Sequence, residues 1–160
     1  MIILKKFIIP ILFVTSLVAI DQFTKYLAVL YLKPIAQHTL IENIFYLFYL
    51  ENSGMAFGLL QDGRWFFVIF TLMALGFMMY YYLTMPSSRY HTVLRIFLLL
   101  LIGGGLGNFI DRVRQGYVVD FFLLRFIDFP VFNVADIFIV IATIAIGIMV
   151  LFIKEPAITS

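Results

Sequence analysis

Apolar positions in this chain come in long blocks, not with the short period of a soluble helix or strand. Residues 65–85 carry no charge. A helix needs about 20 mostly apolar residues to cross the hydrocarbon core of a bilayer, so this block predicts a membrane span. Three further blocks are shorter unless a polar residue is taken in. The stretch 7–20 stops at Asp21, 96–110 lies between Arg95 and Asp111, and 137–153 lies between Asp136 and Lys154. The pattern therefore predicts spans near 7–27, 65–85, 91–111 and 132–153. Asp21 and Asp136 then fall about one turn inside their spans, and Asp111 at the edge of its own. Segments 39–50 and 117–122 are instead rich in β-branched and aromatic residues, and the first runs into the turn-like Asn52-Ser53-Gly54. That composition predicts a small sheet on the membrane surface over 39–60, with 117–122 reading the same way.

An even number of spans returns both termini to one side. Lys5, Lys6, Arg89 and Lys154 lie on that side in short segments, and Arg95 can snorkel towards it. The density of Lys and Arg there favours cytoplasmic termini. Asp21, Glu42, Glu51, Asp62, Asp111, Asp120, Asp128 and Asp136 all fall on the other side, and only Glu155 does not. Carboxylates inside or beside spans are expensive to bury and are functional candidates for that reason. His38 and His91 fall on opposite sides, so they cannot serve one metal or catalytic centre.

Composition supports the membrane reading. Of the 160 residues, 64% are hydrophobic and 12% charged, against about half and about a quarter in a soluble domain. The length allows one domain, 1–160, with no separate soluble module. A net charge of +2 without a basic stripe does not suggest nucleic acid. There is no cysteine, which excludes disulfides, zinc–thiolate sites and thiol chemistry. Lys5 and Lys6 before the run 7–20 resemble the start of a signal peptide. No small-x-small cleavage signal follows, so this segment reads as a retained first span.

Several polar groups carry candidate chemistry. Asp21 and Lys25 are four apart and share a helix face, which suits an ion pair at the interface. Glycines in Asn52-Ser53-Gly54-Met55-Ala56-Phe57-Gly58 permit tight backbone approach, and an Asn amide can bond a peptide through both its donor and its acceptor. A plain turn into a helix explains the same residues. Gly103 and Gly107 form a small-xxx-small pair suited to close helix packing. Asn108, Asp111 and Arg112 share the face beyond it, where Arg112 can hold a phosphate or carboxylate, or Asp111 and Arg112 can simply anchor the interface. Asp120 and Asp136 each sit within an apolar run. If they meet in a low-dielectric pocket they share one proton, which is what an aspartic protease uses. Otherwise one caps the fourth span and the other lies on the surface.

Taken together, DQFTK at 21–25, NSGMAFG at 52–58, GGLGNFIDR at 104–112, VVDF at 118–121 and FNVAD at 132–136 resemble, in order, the five boxes of the lipoprotein signal peptidases, also called signal peptidase II. The resemblance covers essentially the whole chain. It implies an all-α membrane fold of four transmembrane helices, with a small extracytoplasmic sheet and a short outer-loop helix within 113–130. It implies a bacterial inner-membrane aspartic endopeptidase, needing no metal or cofactor, that cuts prolipoproteins on the N-terminal side of a diacylglyceryl-modified cysteine. By motif position, Asp120 and Asp136 match the catalytic pair. Asn52, Gly54, Asn108, Arg112, Asn133 and Ala135 match residues lining the substrate pocket, and Asp21 and Lys25, with Asp111, match supporting positions. The expected partners are prolipoproteins and membrane lipids, and a monomer suffices for one dyad.

The residues also permit other classes. Ser53 and Lys25 lie on the same side, as a serine/lysine peptidase would need. Membrane acids also occur in proton-coupled transporters, but those place the key charge near the midplane, and here the middles of the spans are apolar. A catalytically dead binding scaffold would lack the need for both aspartates.

Overall fold

A computed structural model describes residues 2–54 and 63–153, with the side chains of the first helix described from residue 7. Met55 to Gly58 of the second motif, Asp62, Lys154, Glu155 and the side chains of Lys5 and Lys6 lie outside the described residues. In chain order the elements are α1 (Ile2–Leu27), continued by a π-helical turn (Ala28–Leu32), β1 (Gln37–Ile41), β2 (Phe45–Asn52), α2 (Arg64–Thr84), α3 (Arg89–Gln115), β3 (Val118–Leu124) and α4 (Val134–Phe152).

Among the described residues four helices are long and apolar enough to cross a membrane: Phe7–Leu32, Arg64–Thr84, Arg89–Gln115 and Val134–Phe152. They match the four predicted spans, with one difference of depth. The first runs on to Leu32 because the residues after Lys25 are again apolar, and the Lys33 N–H closes the π turn on the Ala28 carbonyl. Asp21 therefore lies about three turns from the end of its helix, not one. Helix ends follow local chemistry. Ser88 caps α3 by accepting from the His91 N–H at 3.2 Å, and Gly116, at φ 88°, ends it in the left-handed region that glycine reaches without strain.

Small residues let the helices close on α3. A Cβ on Gly103 would come within 2.7 Å of Leu17 on α1, and one on Gly107 within 2.5 Å of the Asp21 carboxylate. On the opposite side, a Cβ on Gly104 would lie 2.6 Å from the Ala135 carbonyl of α4. The glycine-rich segment is thus where α1 and α4 both approach α3. Towards the other end of the bundle the packing is apolar, around Met85, Leu94, Leu98, Ile102 and Met149.

The sheet is antiparallel, in the order β1-β2-β3. A turn with Asn43 at φ 59° joins β1 to β2, and β3 comes from beyond two helices to pair along β2. Within the described residues the sheet expected over 39–60 is a hairpin over 37–52, completed by the strand expected at 117–122, and 55–60 lie outside them. The short outer-loop helix expected within 113–130 is not found among the described residues. That stretch is the end of α3, then β3, then a turn over 125–128. The alternation Val118, Asp120, Phe122 against Val119, Phe121 suits a pleated strand, and Phe132 extends the pairing by bridging to Phe122.

Candidate active site

Four elements, β2, β3, α3 and α4, bring Asn52, Asp120, Asn108, Arg112 and Asp136 together at the bundle end shared by the last turns of α3 and the first turn of α4. On β3, Val118 and Asp120 point to the same face because side chains alternate. Asn52 lies opposite Val118 in the register, so it meets Asp120 diagonally, donating from Nδ2 to Oδ2 at 2.8 Å. Asp136 is fixed by the start of α4. Asn133 is the N-cap, its Oδ1 accepting from the Asp136 N–H at 3.0 Å, while Asp136 Oδ2 accepts from the Asn133 N–H at 3.1 Å. This is a capping box. Asp136 therefore caps its helix and faces the site at once.

A cavity of about 450 Å³ opens beside these groups. Asn52, Gly54, Asn108, Arg112, Asp120 and Asp136 form its polar end. Ile137, Val140 and Ile141 of α4 continue it as an apolar wall, and the last two are about half exposed on the outside of the bundle. The cavity is thus continuous with the surface that a bilayer would cover. Arg112 stacks over the Phe67 ring at 4.9 Å and donates to the Gly54 carbonyl at 3.3 Å.

Every oxygen of the two carboxyl groups accepts a protein N–H. Asp120 Oδ1 receives Asn133 Nδ2 at 2.6 Å, and Asp136 Oδ1 receives Asn108 Nδ2 at 2.8 Å. A proton on either carboxyl is thus left to face the other acid or the cavity. Asp120 is only 2% exposed. Burial first, and the neighbouring charge of Asp136 second, push its carboxyl from the usual 3.8 up to about 7. One proton is therefore held near neutral pH in a site with two acids.

Two residues expected to line the pocket do not reach it. Asn133 and Ala135 are both 0% exposed and sit behind the cavity wall. Asn133 is consumed by capping and by bonds to Asp120 and Asn108, and Ala135 is pressed against the glycines of α3. Asp111 does not pair with its neighbour Arg112. It pairs with Lys25 at 2.9 Å, as Asp21 does at 2.9 Å. Lys25 Nζ also donates to Asn108 Oδ1 at 2.9 Å, so its three protons are taken. Sequence reasoning did not single out Gln22, which donates to Asp111 Oδ1 at 2.9 Å and to the Gly107 carbonyl at 3.2 Å. Its place one residue after Asp21 in a polar cluster was the available signal. Arg64 was also unremarked. It donates to the carbonyls of Arg112 and Val113 at 2.9 and 2.5 Å and so holds the end of α3.

A bundle of membrane-length helices with a polar cleft at one end, open to its apolar flank, defines a multi-pass membrane enzyme. Residues 13–152 match the family described as signal peptidase (SPase) II. The chain belongs to that family, and it is accordingly a peptidase of bacterial membranes. It is 43% identical over 147 residues to the lipoprotein signal peptidase of Clostridioides difficile (strain 630), covering 92% of this chain and 97% of that one. It is 44% identical over 143 residues to that of Caldanaerobacter subterraneus subsp. tengcongensis, covering 89% and 95%. A bacterial membrane enzyme solved by the in meso method at 1.9 Å superposes with a TM-score of 0.80 and 33% identity, over 92% of this chain and 96% of that one.

Proposed function

We propose that this chain, as a single domain over 1–160, is an aspartic endopeptidase that removes the signal peptide from diacylglyceryl-modified prolipoproteins, with Asp120 and Asp136 as its catalytic pair. The observation that carries this reading is that both carboxyls line one cavity, each held by Asn amides: Asp120 by Asn52 and Asn133, Asp136 by Asn108. Asp120 holds the shared proton and Asp136 is the base. Asp136 takes a proton from a water, whose oxygen attacks the scissile carbonyl carbon. The Asp120 proton passes to the carbonyl oxygen, giving a neutral tetrahedral diol. Collapse of that diol breaks the C–N bond, and the amine leaves with the proton that Asp136 had taken. The hydroxyl proton returns to Asp120, so the pair ends with one proton, as it began.

Access from the lipid side favours a membrane-held substrate. A signal peptide crosses as a helix, and the acyl chains of its modified cysteine remain in the outer leaflet. The scissile bond then lies near the membrane surface, at the depth of a site built from the last turns of α3 and first turn of α4. On this reading the termini lie in the cytoplasm and the cleft near the outer leaflet, with Asn52, Gly54, Asn108 and Arg112 touching substrate and Asn133 and Ala135 supporting the wall. The serine/lysine alternative lacks a base, since Lys25 has three acceptors of its own.

The decisive measurement is cleavage of a diacylglyceryl-modified prolipoprotein in detergent with a chelator present. Wild type cuts, and folded Asp120→Asn and Asp136→Asn do not. Near-normal turnover by either variant would overturn the assignment.

A further inference from the structure

Behind the cavity wall lies a cluster that touches no part of the cavity. Lys25 of α1 is 3% exposed and Asp21 is 0% exposed, with Asp111 of α3 completing a buried triad. One carboxylate would suffice to neutralise one ammonium in a membrane protein. Here there are two, and each also grips a specific backbone N–H. Asp21 Oδ1 accepts from the N–H of Ala135 at 3.0 Å, the residue immediately before Asp136. Asp111 Oδ2 accepts from the N–H of Val119 at 3.3 Å, the residue immediately before Asp120.

The third proton of Lys25 goes to Asn108 Oδ1 at 2.9 Å. An ammonium only donates, so this contact turns the Asn108 amide with its Nδ2 towards Asp136 Oδ1. The same Asn108 oxygen accepts from Asn133 Nδ2, which also reaches Asp120. Each of the three partners of Lys25 thus leads, in one or two further bonds, to one or both of the paired acids.

We propose that Lys25 is a positioning residue: through Asp21, Asp111 and Asn108 it sets the spacing and orientation of Asp120 and Asp136. This rests on reading those two acids as the reacting pair. Lys25 never meets substrate. It holds β3 through one carboxylate and the start of α4 through the other, so the two acids, which come from separate elements, are referred to one point.

The test is Lys25→Met in the full chain, purified in detergent, with kcat, KM and the pH profile measured on the folded fraction. Loss of the hydrogen-bond partners that orient metal ligands costs about 10–100-fold in activity, and loss of a partner that orients acids is taken on the same scale. The expected result is a fall of that size in kcat, with KM changed by less than about threefold. The alkaline limb also moves to higher pH. The charged groups acting on Asp120 are Asp136 on α4, Lys25 on α1 and Arg112 on α3, with Asp111 of α3 paired to Lys25, and the variant removes a positive one. A lower yield of folded protein whose kcat and pH profile match wild type would overturn the proposal. If Lys25→Met does not fold, Asp111→Asn decides, since it loosens only the β3 arm. It is expected to lower kcat several-fold and, because it removes a negative charge and leaves Lys25 less neutralised, to move the limb to lower pH, and wild-type values would overturn the proposal. Activity of Asp120→Asn or Asp136→Asn would instead sink the dyad itself, which keeps the two failures distinct.

Discussion

The two ends of the helix bundle are built from different materials. Among the described residues seven polar side chains are buried: Asp21, Lys25, His91, Asn108, Asp111, Asp120 and Asn133. All but His91 belong to the site end. Towards the other end, the side chains of Met85, Leu94, Leu98 and Met149 form an apolar cluster, which Arg95 and Tyr90 meet at the backbone carbonyls of Met85 and Met149. Lipid tails are as apolar as these side chains, so that end is held by close packing and not by exclusion of water. At the site end, buried charge is tolerated because every group finds partners, and no buried side-chain N or O among the described residues lacks one. One end is organised for cohesion and the other for holding buried charge, which on the proposed function includes the acids that cut the bond.

The sharpest way to test that division is to compare one substitution from each end. Asp136→Asn is expected to lower turnover by about a thousandfold or more, within the range for loss of general acid–base catalysis, while the protein stays folded. Leu98→Ala removes buried packing and is expected to destabilise by about 2–4 kcal/mol, with kcat of the folded fraction unchanged. Thermal unfolding and single-turnover cleavage on the same preparations give both numbers. A large kcat effect from Leu98→Ala would mean that the ends are not separable.

A smaller effect comes from pH. Burial and Asp136 raise Asp120 from 3.8 to about 7. The native protein therefore keeps a proton that the unfolded chain gives up above about pH 4. Stability from this group is full below about pH 4, declines as pH rises, and is lost above about pH 7. Turnover should fall over the alkaline part of that window, as the shared proton leaves. Asp120→Asn cannot titrate, so its melting temperature relative to wild type should rise between pH 4.5 and pH 8. A constant difference across that interval would show that Asp120 does not hold the proton.

The unequal legibility of the two ends has the same origin. Blocks of about 20 apolar residues are a one-dimensional signal, so the four spans could be read directly, as could the strands from their β-branched and aromatic composition. The Asp21–Lys25 pair was legible because four residues on a helix always share a face. The partnership of Lys25 with Asp111 was not, because nothing local to either motif says which loop or helix it meets. For the same reason Asn133 and Ala135 were placed on the cavity surface when they lie behind it: motif position gives proximity to a site, not depth. The expected outer-loop helix failed where a strand-like alternation over 118–124 met an available edge on β2.

The smallest effect concerns two arginines that occupy matching places at opposite ends of the α2–α3 hairpin. Arg64, at the start of α2, donates to the last carbonyls of α3, at Arg112 and Val113. Arg95, in the second turn of α3, donates to the Met85 carbonyl just past the end of α2 at 2.5 Å. Each supplies donors to carbonyls at a helix C-terminus, where intrahelical partners run out, although Arg112 also accepts a backbone bond, from the Gly116 N–H at 3.1 Å, and cations suit that end of the helix dipole. Replacing either by Gln is expected to cost about 1–2 kcal/mol in stability, the scale of a hydrogen bond from a charged group. The activities should differ. Arg95→Gln leaves kcat and KM unchanged, because only the apolar end is loosened. Arg64→Gln frees the backbone at Arg112, whose side chain lines the cavity, and should raise KM several-fold. Equal stability losses with unequal effects on KM would tie function to one end of the bundle through a contact that the other end reproduces without consequence.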